Sequence, residues 1–121
     1  MVKLAIIGLG GMGNHHALAL QSVKGCAVVA GVDPLKPARA AFGAKYPGVA
    51  LFAGHQRMLK ETNADAVLIC TPTLDHKAIA IDAMRSGRDV LTEKPMARTV
   101  ADCRRMNDAA EKTGRLLMVA H

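Results

Sequence analysis

Three glycines near the amino terminus have the spacing of a phosphate-binding turn. Gly8, Gly10 and Gly13 follow an apolar run typical of a strand and precede a segment of helical composition. In that context the first glycine permits a tight turn, the second lets the backbone approach a pyrophosphate, and the third lets helix and strand pack closely. The backbone N–H groups of Gly11 and Met12 would then point at the phosphates. The pattern predicts a dinucleotide site.

Two other interpretations of this turn can be compared with that one. The first is a glycine-rich turn without a ligand, although three glycines at a strand–helix junction cost backbone entropy. The second is a phosphate-binding loop of the G-x-x-x-x-G-K-S/T kind, whose spacing Gly8 and Gly13 share. Asn14 and His15 stand where Lys and Ser or Thr are required, so the second interpretation fails.

An acidic residue follows the turn at the distance expected for ribose recognition. Asp33 closes the second apolar run, about twenty residues after Gly13. Its carboxylate would accept hydrogen bonds from both hydroxyls of the adenosine ribose and repel a 2′-phosphate, so it favours NAD over NADP. Lys36 and Arg39 lie close enough in sequence to leave NADP open, and an aspartate before Pro34 also suits a simple turn.

A second set of polar residues follows the fourth and fifth apolar runs. Thr71 and Pro72 come after one run, and Glu93, Lys94 and Pro95 come after the other. Ligands of an open parallel sheet bind outside the carboxyl ends of the strands, so both segments should face the nicotinamide end of the cofactor. We expect Lys94 to be catalytic, because it can orient a substrate hydroxyl and stabilise negative charge on its oxygen.

The neighbours of Lys94 are expected to bind cofactor. Glu93 would bind the nicotinamide ribose or hold the local turn, and Thr71 and Pro72 would line the same pocket. The alternative for Glu93 and Lys94 is a solvated ion pair at a strand end. His76, one turn beyond Pro72, could line the nicotinamide pocket, cap the following helix or pack on the loop.

The remaining histidines and the cysteines favour no metal site. His15 and His16 are sequence neighbours, so a helix points them in different directions, and we expect His16 to pack against the sheet edge. No His, Cys or carboxylate cluster in the sequence has metal-ligand spacing. The scattered cysteines favour reduced thiols in the cytoplasm, with Cys70 a small buried side chain; they are Cys26, Cys70 and Cys103.

Strand-like and helix-like segments alternate along the chain and would bring these residues to one edge of a sheet. Predicted strands span residues 3–8, 27–33, 49–52, 65–72, 89–95 and 115–121. Predicted helices span residues 12–25, 37–46, 56–62, 74–87 and 99–114. Thr73 and Thr99 are the expected N-caps, and Gly87 and Gly114 the expected ends, of the last two helices. The alternation predicts a Rossmann-type doubly wound α/β fold, with a parallel sheet of order 3-2-1-4-5-6 and helices on both faces.

Composition limits the classes of partner. The 121 residues suffice for one dinucleotide-binding domain over residues 1–121, whose core is aliphatic because only 2% of residues are aromatic. The formal charge of +6 is compatible with a nucleic-acid binder, but the aromatic residues that stack on bases are scarce. We therefore expect no nucleic-acid partner, and no apolar run predicts a signal peptide or a membrane span. The last strand ends at His121 without a closing turn or helix, so we expect the sequence to be truncated.

Several segments together resemble the N-terminal domain of the Gfo/Idh/MocA oxidoreductases, a family that includes glucose–fructose oxidoreductase and inositol dehydrogenase. The glycine motif is followed by His16, and "DAVLICTPTLDH" resembles the family's fourth strand and T-P-x-x-x-H turn. "GRDVLTEKPMA" resembles its E-K-P signature, and "AAEKTGRLLMVAH" resembles its last helix and strand. "GLGGMG" is also similar to β-hydroxyacid dehydrogenases, which lack E-K-P after the fifth strand.

The resemblance implies a two-domain enzyme that takes hydride from a carbinol carbon of a sugar, polyol or related compound. It also implies a cis Lys94–Pro95 bond and a second α/β domain, which supplies most substrate contacts and usually the acid–base residue. Because that domain is absent from this chain, the chain alone is expected to be inactive. A non-catalytic NAD-binding module, complete at this length, is the alternative. The uncovered sixth strand would favour a homo-oligomer.

Overall fold

Six parallel strands form the central sheet of the computed structural model, which describes residues 1–120. The strands are β1 (Val2–Ile7), β2 (Cys26–Val32), β3 (Ala50–Phe52), β4 (Ala66–Ile69), β5 (Asp89–Thr92) and β6 (Leu117–Val119). Their spatial order is β3-β2-β1-β4-β5-β6, and every neighbouring pair is parallel. The predicted Rossmann-type doubly wound sheet is therefore confirmed. His121, the last residue of the predicted sixth strand, lies outside the described residues.

The connections between the strands are helical. The helices are α1 (Gly11–Leu20), α2 (Lys36–Lys45), α3 (His55–Glu61), α4 (His76–Arg85) and α5 (Val100–Thr113), and a 3-10 turn at Thr73–Asp75 precedes α4. Crossovers of this kind cover both faces of a parallel sheet. None of the helices formed by residues 1–120 is long and apolar enough to cross a membrane.

Each face of the sheet has its own core, because strand side chains alternate between the two faces. One face packs against side chains of α3, α4 and α5 in a cluster that includes Ala5, Ile7, Met58, Ile69, Met84 and Met106. The other packs against α1 and α2 in a smaller cluster, Ile6, Leu9, Ala17, Phe42 and Leu68. Neighbouring residues of β1 and β4 thus belong to opposite cores, which explains the apolar runs Leu4–Ile7 and Ala66–Ile69.

The helix ends follow the predicted signals in three cases of four. The Thr99 side chain accepts a hydrogen bond of 3.0 Å from the Asp102 backbone N–H at the start of α5. Gly87 and Gly114 adopt φ values of 90° and 69° after α4 and α5. The expectation for Thr73 was wrong. The Asp75 N–H donates to the Pro72 carbonyl at 3.0 Å, which closes the 3-10 turn and moves the start of α4 to His76.

The strands of the sheet are shorter than predicted where the site residues lie. Pairing of β4 with β5 ends at Ile69 and Thr92, whereas the predicted strands continue to residues 72 and 95. Residues 71–72 and 93–95 are consequently loops beyond the carboxyl edge of the sheet. Their side chains therefore need not point alternately to the two faces of the sheet, as they would in a strand.

Candidate functional site

The glycine turn between β1 and α1 is dictated partly by packing. Gly8 has a φ of +99°, and a Cβ there would lie 2.6 Å from the Cys70 carbonyl carbon. A Cβ on Gly13 would lie 1.9 Å from the Gly8 carbonyl oxygen. Both glycines are therefore required by the approach of β1, α1 and the end of β4, whether or not a ligand is present.

Gly10 and Gly11 differ, because no contact among residues 1–120 requires them to be glycine. A Cβ on either would meet no heavy atom of the described residues within 4 Å. Gly10 also has a φ of −83°, which any residue can adopt. The space left by the two missing side chains lies at the amino end of α1, where a bound group could approach the backbone closely.

The amino end of α1 is open to an anion. Gly10 is the N-cap residue, and no side chain in the described part of the chain caps the first turn. The Asn14 amide donates to the Leu9 and Gly10 carbonyls, at 2.9 Å each, and so fixes the turn from below. Unpaired N–H groups and the helix dipole together favour a phosphate at this position.

The Asp33 carboxylate is held in place at the end of β2. One oxygen accepts a 2.9 Å hydrogen bond from the Leu9 backbone N–H, and the other accepts one of 2.9 Å from Leu35. The Arg39 guanidinium donates to the Asp33 and Pro34 carbonyls at 2.8 and 3.1 Å. The carboxylate thus joins the glycine turn directly, and its remaining lone pairs can accept from a ligand.

A cavity of about 330 Å³ brings the turn, Asp33 and the loop after β4 together. Its lining residues are Gly8, Gly10, Asp33, Pro34, Leu35, Cys70, Thr71, Pro72 and Asp75. A second cavity of about 240 Å³ adjoins it and shares Pro34, Thr71 and Asp75. Five of the predicted cofactor-binding residues therefore line one cleft at the carboxyl edge of the sheet.

The E-K-P segment lies after β5, beyond this cleft. Its Lys94–Pro95 peptide bond is cis, as the family resemblance implied. Lys94 is exposed, and the Glu93 backbone N–H donates to the Ile69 carbonyl at 2.9 Å. The segment is thus anchored to the end of β4, while the Lys94 side chain is exposed on the surface formed by residues 1–120.

Glu93 is paired with a histidine that the sequence analysis placed only against the sheet edge. Nε2 of His16, in α1, lies 2.5 Å from Oε1 of Glu93. The hydrogen bond from His16 lowers the pKa of Glu93 below its ordinary value, outweighing burial, and the neighbouring Lys94 adds to the lowering. The carboxylate is therefore a ready acceptor at neutral pH.

His76 joins the two loops. Its ring is 1% exposed, with Nε2 at 2.8 Å from the Thr71 carbonyl and Nδ1 at 3.0 Å from the Pro95 carbonyl. Of the alternatives that the sequence left open, the structure supports packing on the loops. A direct contact between His76 and a cofactor stays a prediction.

The Cys70 thiol at this site is not activated as a nucleophile. Burial raises the pKa of the Cys70 thiol to about 12, with a further contribution from the Glu93 carboxylate. The thiol is therefore protonated at neutral pH and is a poor nucleophile. Within residues 1–120, no group of three His, Cys, Asp or Glu side chains is arranged to hold a metal ion.

Comparison with known proteins agrees with this geometry. A family model described as an oxidoreductase family with an NAD-binding Rossmann fold, Gfo/Idh/MocA, matches residues 2–121. The chain is 31% identical over 119 residues to inositol 2-dehydrogenase from Klebsiella pneumoniae, covering 97% of this chain and 35% of that protein. It is 35% identical over 124 residues to an α-N-acetylgalactosaminidase from Bacteroides fragilis, covering 93% and 28% of the two chains.

A solved structure shows the same fold. The WlbA dehydrogenase from Chromobacterium violaceum, in complex with NADH and UDP-GlcNAcA, superposes with a TM-score of 0.94 at 31% identity. The superposition covers 98% of this chain and 34% of that one. The chain thus spans about a third of the length of these relatives.

Proposed function

The chain belongs to the Gfo/Idh/MocA oxidoreductase family, whose NAD-binding Rossmann domain it forms, and from that membership we propose a role in hydride transfer. In this proposal the chain is the cofactor-binding part of an enzyme acting on a sugar, polyol or related hydroxy compound. The relative from Klebsiella pneumoniae is named for inositol, a polyol, and the Chromobacterium violaceum enzyme was crystallised with a nucleotide sugar. Both names support this substrate class.

The open amino end of α1 is the observation that carries the proposal. The space beside Gly10 and Gly11 suits a pyrophosphate, and the N–H groups of Gly11, Met12 and Gly13 would bind it. Asp33, fixed by two backbone N–H groups, would accept from the adenosine ribose and repel the 2′-phosphate of NADP. The residues present therefore fit NAD, which supplies the ring carbon that accepts hydride.

Lys94 is proposed as the catalytic residue of this domain. Its exposed side chain lies beyond β5, at the same sheet edge as Thr71 and Pro72, which would line the nicotinamide end of the cleft. Its Nζ would donate a hydrogen bond to the substrate hydroxyl oxygen and stabilise the negative charge that develops there as the C–H bond breaks. Glu93 would accept from the nicotinamide ribose.

The rest of the enzyme is proposed to lie in a separate substrate domain. Because the chain spans about a third of its relatives, substrate contacts and the main acid–base group would come from that domain. The glycosidase name of the Bacteroides fragilis relative indicates that this type of domain also occurs in proteins named for hydrolysis. A non-catalytic NAD-binding module remains the alternative, and the coding sequence beyond His121 distinguishes the two.

Self-association and a cytoplasmic location complete the proposal. Leu116 and Met118, at the β6 edge of the sheet, are 65% and 61% exposed, and an exposed apolar edge invites pairing with a second copy. We expect light scattering to show a dimer or larger oligomer that Met118→Lys dissociates; a monomer at high concentration contradicts this.

Free cysteines support the proposed cytoplasmic location. Cys26, Cys70 and Cys103 form no disulfide, which is usual in a reducing compartment.

Calorimetric titration of the 121-residue chain with NAD tests the cofactor site directly. We expect saturable binding of NAD and weaker binding of NADP. The absence of NAD binding by the folded chain would contradict the proposal, since the adenosine and pyrophosphate contacts that we propose come from residues 8–13 and Asp33.

A further inference from the structure

One polar contact links the two ends of the cleft and has no part in the function proposed so far. Nε2 of His16 and Oε1 of Glu93 are 2.5 Å apart, although 77 positions separate them in sequence. The side chains are 24% and 14% exposed, so both are largely shielded from water. The pair joins the helix of the phosphate turn to the E-K-P segment.

The position of His16 follows from the packing of α1. Gly13 faces β1 so closely that any side chain there would meet the Gly8 carbonyl. His16 is three residues further on, so it lies on the same face of the helix and points at the sheet edge. His15, one residue earlier, is exposed. The phosphate turn and the direction of His16 are therefore set by one rigid element.

We propose that His16 is a positioning residue, which holds the Glu93 carboxylate in the orientation that accepts hydrogen bonds from the ribose beside the nicotinamide. The inference rests on the proposed function, because it requires a dinucleotide in the cleft. It adds to that function a coupling, through α1, between the pyrophosphate end and the nicotinamide end of the site.

The chemistry of a carboxylate permits this double use. An ionised carboxylate has about four lone-pair sites, and His16 occupies one of them at Oε1. The others can accept from ribose hydroxyls. A free glutamate loses rotamer freedom when it binds a ligand. Because His16 and the anchored Glu93 backbone have already fixed the side chain, most of that loss precedes binding.

The surroundings of the pair keep Glu93 charged. His16 and Lys94 both lower its pKa, and the carboxylate in turn raises the pKa of Cys70. His15 is a further titratable neighbour, with its ring centroid 5.8 Å from that of His16. A neutral His16 donates through Nε2 and a protonated one through both nitrogens, so the contact survives in either state.

The test compares three ligands with three variants. ADP has the adenosine and the pyrophosphate, ADP-ribose adds the second ribose, and NAD adds the nicotinamide. His16→Leu removes the donor, His16→Gln keeps an N–H group at a similar reach, and His15→Leu makes the same apolar change on the exposed side of α1. Calorimetry on the full 121-residue chain gives all affinities.

We expect His16→Leu to weaken ADP-ribose and NAD by roughly three- to tenfold, the cost of ordering one side chain at binding. ADP affinity should stay within about twofold, because ADP ends before Glu93. His16→Gln should recover most of the loss, and His15→Leu should bind all three ligands normally. Unchanged ADP-ribose binding by His16→Leu, or an equal loss for ADP, would overturn the inference.

A double-mutant cycle and carbon-13 NMR distinguish the positioning of Glu93 from a general loss of packing around His16. Glu93→Ala removes the ribose contact, so adding His16→Leu to that variant should cause little further loss of affinity; additive losses contradict coupling. The NMR titration should show the pKa of the Glu93 carboxyl rising in His16→Leu but not in His15→Leu. If the unmodified chain binds ADP but His16→Leu leaves the Glu93 pKa unchanged, only the inference about His16 is contradicted. If the unmodified chain binds none of the three ligands, the proposed function is contradicted, and with it the inference that rests on it.

Discussion

The two ends of the cleft are built in different ways. The turn side, residues 8–13 with Asp33, is shaped by the backbone: missing side chains, N–H groups and one carboxylate that accepts from them. The loop side, residues 71–72 and 93–95, is shaped by side chains that arrive from other elements, His16 from α1 and His76 from α4. The turn side is thus built mainly by a local motif, whereas the loop side depends on how distant elements pack together.

This difference matches the chemistry asked of each side. A pyrophosphate and a ribose are the same in every reaction of NAD, so a rigid backbone cradle is sufficient for them. In the proposed function the loop side meets a substrate through Lys94, whose side chain is exposed. His76 contacts the Pro95 backbone carbonyl beside it, so in this proposal the substrate orients the Lys94 side chain.

The largest expected effect concerns Gly13, on the turn side. Gly13→Ala places a Cβ where the Gly8 carbonyl oxygen is 1.9 Å away, so β1 and α1 must separate. We expect a loss of about 3 kcal/mol or more in the free energy of unfolding, measured by urea denaturation. Gly10→Ala is the matched control: it meets nothing within 4 Å and should cost about 1 kcal/mol or less as a change of N-cap.

For NAD affinity, as opposed to stability, Gly10 should matter more than Gly13 among chains that are folded. Gly10→Ala should lower NAD affinity by about tenfold or more while the fold stays intact, because the new methyl group enters the space proposed for the pyrophosphate. A Gly10→Ala chain that binds NAD normally would show that the open space is incidental. The turn side would then be a structural feature only.

Lys94 tests the loop side in the same way. In a longer protein that carries this domain and its substrate domain, Lys94→Ala should lower turnover by roughly a hundredfold or more, the scale for one lost polar contact to the transition state. NAD affinity should change by only a few-fold, because the phosphates and adenosine are bound at the turn side. Steady-state kinetics beside an NAD titration provides both values.

The arginine variant sharpens this prediction. Lys94→Arg keeps a positive charge but replaces the compact Nζ with a planar guanidinium, which cannot take the same position beside the hydroxyl oxygen, so little activity should return. Normal turnover in Lys94→Ala would reduce E-K-P to a surface ion pair ahead of a turn. The loop side would then have no catalytic role to distinguish it from the turn side.

The fold and the turn side were predictable because their causes are local in sequence. Apolar runs that are buried on both faces give parallel strands, and Thr99 and Gly114 mark the ends of α5 through contacts within a few residues. Gly13 likewise acts on Gly8 within the same turn, whereas the close approach of Gly8 to Cys70 joins distant residues. The alternation of strands and helices, matched to the doubly wound order, indicates the strand order and the site edge, and the structure confirms the fold.

The loop side was less predictable because its contacts join distant residues. The pairing of His16 with Glu93 depends on the angle at which α1 crosses the sheet, which no sequence pattern fixes. Only the spacing of Gly13 and His16 along one helix face could have suggested it. The 3-10 turn after Pro72 displaced the expected cap at Thr73 for a related reason, since the loop conformation, and not helix propensity, decides where α4 begins.

Asp33 is expected to have a smaller effect than Lys94, on cofactor choice. Asp33→Asn keeps the size of the side chain and one acceptor for a backbone N–H, but it removes the charge that repels a 2′-phosphate. We expect the unmodified chain to prefer NAD over NADP by about tenfold or more, and the variant to narrow that preference mainly by improved NADP binding. Equal affinity for the two cofactors in the unmodified chain would contradict this assignment.

The smallest expected effect is a pH dependence that belongs to the loop side alone. The pKa of Glu93 is lowered in the folded chain, chiefly by the hydrogen bond from His16. Stabilisation from a lowered carboxyl pKa is complete above the ordinary value of a glutamate and is lost as pH falls through the folded value. At neutral pH the pair should therefore stabilise the chain, by about 1 kcal/mol or less for a partly exposed pair.

His16→Leu should remove that contribution at neutral pH and change little in strong acid, where Glu93 is protonated in both proteins. Urea denaturation at about pH 7 and about pH 3 measures the difference between the two proteins, which should shrink toward acid. His15→Leu controls for the titration of a neighbouring histidine and should show no such trend. If the difference in free energy of unfolding between the two proteins stays constant with pH, His16 acts through packing alone. The contact between the two sides of the cleft would then owe nothing to the charge of Glu93.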